Sequence, residues 1–450
     1  MGKILKFMKY RWYVTLGALI LLSVAIIVGK EYLRESPSEN SDKSNQVSIS
    51  DDSGENIANL MDNEKSQDVI DNNKNNLIAS PTPSPAISLA TGKGDLNDYY
   101  LYSLNFVDEN NGWIIRFKYN EVNVQDSTSL VRTKDGGEHF EEYENNDFLL
   151  QKVSFINAEV GWALALDRSQ EMTDGVTAKV HILNTVDGGI HWEVQYNCDS
   201  IYGDNLDIQV INKEIIQVII NGIMYRSKDG GSSWIKTNFT VKDFIAEHLE
   251  FVTAKEGWVS GVVKSSDLTK QNQASNDSTP KKQNYTVYIL HTTDGGENWG
   301  EQFSQEYPNE WNKTIGISFA DSQNGWMLTC NYGTFNGELY QTTNGGSQWE
   351  KVNEFRVCRP YAQDIEAVTE DILFIPFNHG AGPIDGGLFY SEDGGKTYNY
   401  MSTEDGINNS NGINFISPTL GYAILDEDDE KDLMKTEDGG KTWVKLDINK

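Results

Sequence analysis

The chain has 450 residues and a formal net charge of −30 at pH 7, because 67 acidic residues outnumber 37 lysines and arginines. A chain this acidic repels phosphate groups, which excludes nucleic acid and anionic lipid surfaces as partners of its folded part. The three cysteines, Cys198, Cys330 and Cys358, show neither a Cys-x-x-Cys pair nor a zinc spacing, so a disulfide framework is excluded, while a single Cys330–Cys358 bond stays open.

The first 29 residues have the pattern of a membrane anchor. Residues 1–11 contain four basic residues and no acidic residue, and residues 12–29 contain no charge. Such a segment, if helical, rises about 27 Å and crosses a hydrocarbon core, with the basic flank in the cytoplasm. A cleaved signal peptide is the alternative, but Lys30 follows where a small-residue cleavage pattern would stand. We predict a cytoplasmic tail at 1–11, an uncleaved single-pass anchor at 12–29, and an extracytoplasmic remainder.

Residues 30–95 have the composition of a linker. They are rich in Ser, Asn and Asp and contain few aromatic or large apolar residues. A segment of this kind does not bury enough apolar surface to offset the entropy lost on ordering, so we predict a disordered tether. The alternating prolines at 81–85 form a short stiff section within it.

An octapeptide that occurs seven times organises the rest of the chain. It reads Ser or Thr, any residue, Asp or Asn, Gly, Gly, two variable residues, and an aromatic residue. The seven copies occupy residues 133–140, 185–192, 227–234, 292–299, 342–349, 391–398 and 436–443. Successive copies lie 42 to 65 residues apart, a spacing typical of a propeller or a solenoid.

The chemistry of the octapeptide is that of a tight hairpin. An Asp-Gly or Asn-Gly pair supplies the positive φ that such turns need, and the Asp side chain accepts hydrogen bonds from turn N–H groups. The closing aromatic residue brings a large apolar surface to the next strand. We therefore interpret the third position of each copy as structural rather than catalytic or metal-binding. These residues are Asp135, Asp187, Asp229, Asp294, Asn344, Asp393 and Asp438.

A second motif alternates with the first. It reads Phe, five residues, Gly and an aromatic residue, and its copies occupy residues 106–113, 155–162, 251–258, 319–326 and 415–422. Units three and six lack it and carry plain apolar alternation at 208–220 and 365–377. Each unit then contains four antiparallel strands, which predicts an all-β, seven-bladed β-propeller over residues 96–450. Residues 96–104 either pair with the strand after Trp443 to close the ring or extend the first blade.

The repeats carry a family resemblance. The octapeptide resembles the Asp-box, or BNR repeat, of sialidases and related propellers. Its alternation with Phe-x5-Gly-Trp is more closely similar to the seven-bladed propellers related to photosystem II assembly and stability factors. The resemblance covers roughly residues 95 to 450 and implies the fold. It does not imply one activity, because a fold of this kind hosts many functions.

The resemblance to sialidases implies a catalytic set that can be tested on the sequence. That set comprises three arginines on the substrate carboxylate, a tyrosine activated by glutamate, and an aspartate as acid and base. Here Arg132 and Arg226 occupy equivalent repeat positions, which makes a three-arginine clamp improbable. The other arginines of the predicted propeller are Arg116, Arg168, Arg356 and Arg359. We find no nucleophile elbow and no phosphate loop, and we predict no catalytic residue, no cofactor and no metal site.

One acidic run needs a separate interpretation. Residues 426–432 hold six acidic residues and one lysine between two predicted strands of unit seven. Carboxylate oxygens are ligands for Ca²⁺, but the run lacks an EF-hand pattern. We interpret it as a solvated turn.

Ligands of propellers bind loops at one end of the central channel, and this chain has long variable loops at 119–129, 167–176 and 265–284. His379 stands in a Gly-rich stretch of unit six. The candidate ligand-binding rim comprises Trp311, Arg356, Arg359 and His379, which blade order brings near one another.

Two functions of different classes remain. The first is a non-enzymatic binding or assembly module for a protein or glycan, held at the outer side of the membrane. The second is a glycoside hydrolase acting on extracellular glycans, which would need two carboxyl groups facing one another in a groove lined by aromatic residues.

Overall fold

A computed structural model describes residues 99–118, 127–145, 147–167, 179–201, 205–266, 283–307, 312–331, 336–355, 365–377, 387–401, 409–427 and 430–449. These residues form 28 β-strands in seven four-stranded antiparallel sheets. The predicted anchor at 12–29 and tether at 30–95 lie outside these ranges. Within them, no helix is long and apolar enough to cross a membrane.

The first four sheets follow one another along the chain. Blade 1 contains β1 (Tyr99–Phe106), β2 (Gly112–Lys118), β3 (Ser127–Thr133) and β4 (Glu141–Asn145). Blade 2 contains β5 (Phe148–Phe155), β6 (Gly161–Asp167), β7 (Lys179–Thr185) and β8 (Glu193–Ile201). Blade 3 contains β9 (Leu206–Val210), β10 (Ile216–Ile220), β11 (Ile223–Ser227) and β12 (Ile235–Lys236). Blade 4 contains β13 (Ile245–Phe251), β14 (Gly257–Ser266), β15 (Gln283–Thr292) and β16 (Gly300–Tyr307).

The remaining three sheets have the same order. Blade 5 contains β17 (Asn312–Phe319), β18 (Gly325–Asn331), β19 (Asn336–Thr342) and β20 (Glu350–Phe355). Blade 6 contains β21 (Glu366–Ala367), β22 (Leu373–Phe377), β23 (Gly387–Ser391) and β24 (Asn399–Met401). Blade 7 contains β25 (Asn409–Phe415), β26 (Gly421–Glu427), β27 (Glu430–Thr436) and β28 (Val444–Leu446). The first strands of neighbouring blades contact one another around the ring, which places them innermost and confirms the seven-bladed β-propeller.

The hydrophobic core lies between the blades. The buried apolar residues within the described ranges form seven clusters, and each cluster joins two neighbouring sheets. One cluster, for example, packs Trp113 of blade 1 against Phe155 of blade 2. Apolar burial therefore stabilises every junction, including the one between blades 7 and 1, where Leu101 and Phe106 pack against Tyr422.

The ring closes without a shared sheet. The strand β1 is the inner strand of blade 1, and β28 pairs with β27 alone among the described strands. The Phe106 ring stacks on the Tyr422 ring with centroids 3.5 Å apart. The backbone N–H of Phe106 donates to Asn414 Oδ1 at 2.7 Å. Of the two arrangements left open by the sequence, residues 99–106 therefore extend the first blade.

The register of the inner strand differs between blades. The inner strand changes register at one point in β1, β5, β13, β17 and β25. These are the strands of the five blades that carry the second motif.

In blade 7, the acidic run is largely strand rather than turn. In the backbone register, Asp426 lies opposite Lys431 and Glu427 lies opposite Glu430. The Asp432 carboxylate of β27 lies 2.6 Å from Lys445 Nζ of β28.

Candidate binding site at the central channel

The octapeptide forms the same hydrogen-bonded turn in all seven blades. In blade 1, the Thr133 hydroxyl donates to Asp135 Oδ1 and accepts from the N–H of Gly137. Asp135 Oδ1 also accepts from the N–H of His139 at 2.9 Å. Both glycines have positive φ, 71° and 96°. Hydrogen bonding to His139 lowers the pKa of Asp135 to about 2. These bonds occupy the aspartate in a turn, and His139 and His191 are exposed turn residues.

The phenylalanine ring of the second motif packs so closely against the glycine of the same motif that no side chain fits there. A Cβ atom on Gly112 would lie 2.2 Å from the Phe106 ring, so only glycine lets that ring lie flat on the strand. The same short distances occur at Gly161, Gly257, Gly325 and Gly421 against their own Phe rings. The Phe and the Gly of one copy are therefore one packing unit inside one blade.

The aromatic residue of the second motif contacts the next blade. The Trp113 ring stacks on Phe155 of blade 2 with centroids 3.7 Å apart. Its Nε1 donates to the carbonyl oxygen of Gly188, in the octapeptide of blade 2, at 2.9 Å. Trp326 makes the same bond to Gly394 of blade 6 at 2.9 Å. The two repeated motifs thus interlock at the junctions that follow blades 1 and 5.

A second set of hydrogen bonds, which we call the fastener row, joins the inner strands. Each member is the polar residue that stands one position before the end of an inner strand, the first strand of its blade. Gln209 Oε1, for example, accepts from the N–H of Phe251 at 2.6 Å, and Gln209 Nε2 donates to the Phe251 carbonyl at 3.0 Å. Equivalent bonds to the next blade are made by Asn105, Ser154, Ser318, Glu366 and Asn414. Glu250 occupies the same position in blade 4.

A polar cavity of about 170 Å³ lies between the inner strands of blades 3 to 6. The fastener row supplies one layer of its wall. The second layer lies two residues earlier on the strands, where Asp207 and His248 stand. The residues lining the cavity are Asp207, Ile208, Gln209, His248, Leu249, Glu250, Ile317, Ser318, Ile365 and Glu366. We take this cavity as the candidate binding site.

Charged side chains at the cavity form an ion pair and hydrogen bonds with neighbouring blades. Asp207 Oδ1 lies 3.3 Å from Lys152 Nζ, and Asp207 Oδ2 accepts from the N–H of Leu249 at 3.1 Å. Glu366 Oε1 accepts from the N–H of Phe415 at 2.9 Å. Burial lowers the pKa of His248 to about 4, although Asp207 opposes this shift. The imidazole is therefore neutral at pH 7, and its Nε2 lies 3.3 Å from the Thr314 carbonyl oxygen.

Glu247, beside His248, is a buried carboxyl group. Its Oε2 accepts from the N–H of Thr314 at 2.9 Å and from the Thr314 hydroxyl at 2.6 Å. Burial raises the pKa of Glu247 in spite of these bonds. The side chain therefore fastens blade 4 to blade 5.

The three described arginines and the tyrosines Tyr307 and Tyr340 are engaged in the fold. Arg116 Nη1 pairs with Glu142 at 2.9 Å, Arg132 Nη2 donates to the Ala158 carbonyl at 2.6 Å, and Arg226 Nη1 lies 3.4 Å from the Gly295 carbonyl. Tyr307 and Tyr340 both donate to Glu338 Oε2. Burial and this carboxylate raise the pKa of Tyr307, and burial is the main cause that raises the pKa of Tyr340 to about 12. These phenols are held protonated, which is the reverse of an activated nucleophile.

The four predicted rim residues, Trp311, Arg356, Arg359 and His379, lie outside the described residues. All internal gaps in the description fall between strands that meet at the end of the propeller opposite the octapeptides. Among the residues described, no group of three or more His, Cys, Asp or Glu side chains could hold a metal ion. Cys198 and Cys330 are buried, and Cys358 lies in a gap.

Comparison with known proteins gives structural similarity only. No protein-family model and no curated protein matches the chain. One similar solved structure is YCF48 bound to a D1 peptide, at 18% identity and a TM-score of 0.45, covering 78% of this chain and 99% of that one. A second is the GH74 xyloglucanase of Xanthomonas campestris, at 11% identity and a TM-score of 0.45, covering 74% of this chain and 58% of that one. A third is the propeller domain of the Trilobed protease of Pyrococcus furiosus, at 7% identity and a TM-score of 0.46, covering 79% of this chain and 98% of that one.

Proposed function

We propose that this protein is a membrane-anchored, extracytoplasmic propeller that acts as a non-enzymatic binding or assembly module for a protein or glycan. It would be anchored by residues 12–29 and carried on the tether at 30–95. Its repeats would be Asp-boxes of the class found in propellers related to photosystem II assembly and stability factors. The octapeptide and the Phe-x5-Gly-aromatic motif support this assignment.

One observation carries the non-enzymatic part of the proposal. The carboxylates Asp207, Glu247 and Glu366 on the inner strands accept backbone N–H groups of the following blade. A general acid or base must exchange a proton with substrate during turnover. Carboxylates that bind one blade to the next in this way serve the stability of the ring instead.

A glycoside hydrolase is the second candidate, because Glu250 and Glu366 both line the cavity and paired carboxyl groups cleave glycosidic bonds. The cavity favours the binding module over this candidate. Its volume of about 170 Å³ is below the roughly 300–1,000 Å³ of ordinary small-molecule sites. The only ring in its wall, among the described lining residues, is the His248 imidazole.

The experiment is a turnover screen with full-length protein in detergent against cell-wall, plant and sialylated glycans, reading released sugar. The binding module predicts no product from the wild type. Product that is lost in both Glu250→Gln and Glu366→Gln would establish the hydrolase instead. Photo-crosslinking in native membranes is the positive arm, and we expect it to capture one partner that survives stringent washing.

A further inference from the structure

The inner strand of blade 5 receives hydrogen bonds from two adjacent residues of blade 4. Strand β17 stands at the end of its sheet, so the backbone groups on its free edge need partners from outside the sheet. Glu247 Oε2 accepts from the N–H of Thr314 at 2.9 Å and from its hydroxyl at 2.6 Å. His248 Nε2 lies 3.3 Å from the Thr314 carbonyl oxygen, and an acceptor there places the ring proton on Nε2. We call these three residues the Thr314 clamp.

A β-bulge makes the clamp possible. Successive side chains of a regular strand point to opposite faces, yet Glu247 and His248 both contact Thr314. The register between β13 and β14 shifts between Ala246 and His248, which leaves Glu247 as the additional residue of a bulge, and a bulge re-aims a side chain. None of the additional residues in the other bulged inner strands is a carboxylic acid or a histidine. These residues are Tyr102, Gln151, Ile315 and Asn411.

The Glu247 carboxyl group favours its neutral form. Its side chain is buried, with 6% of the residue exposed, and burial raises its pKa although Thr314, Lys313 and Lys264 oppose this shift. Because Oε2 accepts both bonds from Thr314, a proton on Oε1 leaves them intact. A carboxyl group with a raised folded-state pKa contributes stability in acid and loses it as pH rises through that pKa.

The His248 imidazole also favours its neutral form. Burial lowers its pKa from 6.5 to about 4, with Asp207 opposing the shift and Lys152 and Lys313 adding to it. Once exposed, the ring takes up a proton near its ordinary pKa, so acid favours the open junction. The sign is opposite to that of Glu247. The cavity that His248 lines also has carboxyl groups in its wall, from Asp207, Glu250 and Glu366.

From this geometry we propose that Glu247 and His248 exchange one proton when the junction between blades 4 and 5 opens. Both side chains are neutral in the closed junction, and they are a carboxylate and an imidazolium in the open one. The proton leaves Glu247 Oε1 and passes through solvent to His248 Nδ1, so the pair takes up no net proton. Opening therefore depends little on pH between about 4.5 and about 6.5. A buried histidine without the carboxyl group would let mild acid weaken this wall of the cavity.

The test measures urea unfolding of full-length protein in detergent, by circular dichroism, from pH 7 to pH 5. Glutamine replaces each clamp residue, because its amide oxygen accepts from Thr314 as Glu247 does and its Nε2 donates as His248 does. Each variant is compared with the wild type at the same pH, so that other titrating groups cancel. Glu193→Gln, on the outer strand β8 where Glu193 is exposed, is the matched control.

The two single variants should respond to acid in opposite directions. Between pH 7 and pH 5, the folding equilibrium constant of His248→Gln should rise by roughly 20-fold relative to the wild type, given pKa values of 6.5 and about 4. That of Glu247→Gln should fall by about threefold or more, because the variant lacks the group that acid neutralises. The double variant should lie between them, and Glu193→Gln should stay within about twofold of the wild type.

A ratio to the wild type that does not change with pH, for either single variant, would overturn the proposal. Shifts of both single variants in one direction would do the same. Two measurements on the wild type need no variant to fold. Infrared spectra at pH 6 should contain the carbonyl band of a buried protonated carboxyl group, and ¹⁵N NMR spectra should show an imidazole that stays neutral at pH 5. The absence of either signal would refute the proton exchange.

Discussion

The junctions that follow blades 3 and 6 depart in opposite ways from the junction between blades 1 and 2, where Trp113 both stacks on Phe155 and donates to Gly188. In blade 3, Gln217 replaces the aromatic residue and donates through Nε2 to the Gly295 carbonyl of blade 4 at 3.2 Å. In blade 6, Phe374 replaces it and stacks on Phe415 of blade 7, with centroids 4.7 Å apart, but a phenyl ring has no donor. One junction keeps the hydrogen bond and the other keeps the ring.

This difference separates two contributions that a tryptophan combines. Trp113 provides both, a ring on Phe155 and a donor to Gly188. Because blades 3 and 6 each retain one contribution, neither is indispensable at every junction. Their relative sizes can be measured by converting one kind of junction into another.

The largest effect is expected when both contributions are removed at once. Trp113 is completely buried, so Trp113→Ala should lower the free energy of unfolding by about 3–5 kcal/mol. Urea unfolding of the full-length chain, followed by circular dichroism in one detergent, would measure it. Val444→Ala is the control, since Val444 is 65% exposed and should change stability by no more than about 0.5 kcal/mol. A loss as small as the control's would refute the interlock.

Replacing Trp113 by Phe, the residue that blade 6 has at this position, should lower the free energy of unfolding by less than Trp113→Ala does. Trp113→Phe keeps a ring on Phe155 but leaves the Gly188 carbonyl without its donor. The expected loss is about 1–3 kcal/mol, the cost of a buried unsatisfied acceptor. The same urea titration gives the number. If Trp113→Phe is as destabilising as Trp113→Ala, the hydrogen bond rather than the ring dominates the junction.

The blade 3 junction should respond more weakly to loss of its donor. Gln217→Met keeps the approximate shape and removes the bond to Gly295, and we expect a loss of about 1 kcal/mol. The loss is small because Arg226 Nη1 also lies 3.4 Å from that carbonyl. A double-mutant cycle with Arg226→Met tests this explanation, because the two losses should be more than additive. Simple additivity would show that the arginine gives no support.

The smallest effect concerns pH and the turns. Hydrogen bonding lowers the pKa of Asp438 to about 2, with Thr442 as the main donor. An aspartate with a depressed folded-state pKa contributes stability above its unfolded value, about 3.9, and loses it as pH falls toward about 2. Asp438→Asn should therefore flatten the acid side of the stability curve. Asn344→Asp, at the one turn that already has the amide, should steepen it. Unfolding midpoints measured across the acid range would show unchanged slopes if these turns contribute nothing.

Most of the fold could be predicted because its signals are local. The octapeptide fixes a turn within eight residues, and the Phe-x5-Gly-aromatic motif fixes a strand pair through contacts of one blade. The partner of each aromatic residue could not be predicted in this way. Trp113 and the glycine that it contacts are 75 residues apart, and only the ring geometry brings them together. Alignment of the units would still have placed Gln217 and Phe374 in the column of the tryptophans.

The candidate site was less predictable. The rim residues proposed from blade order, such as Arg356 and His379, lie outside the described residues and remain a prediction. The cavity was missed, although the sequence carried a signal for it. A polar residue precedes the last apolar position of the inner strand in each unit, for example Asn105, Gln209 and Glu250. On a strand that is otherwise apolar, such a residue faces either water or a neighbouring backbone, and the sequence does not distinguish the two.

The closure described for blades 7 and 1 has a consequence for the order of the chain. Tyr422 and Asn414 bind blade 1 through the same kinds of contact that Trp113 and Asn105 make with blade 2. No junction is therefore chemically marked as the seam of the ring. A circular permutant that joins the ends of residues 99–449 and opens the chain between two other blades would retain every interlock, so the position of the termini is interchangeable.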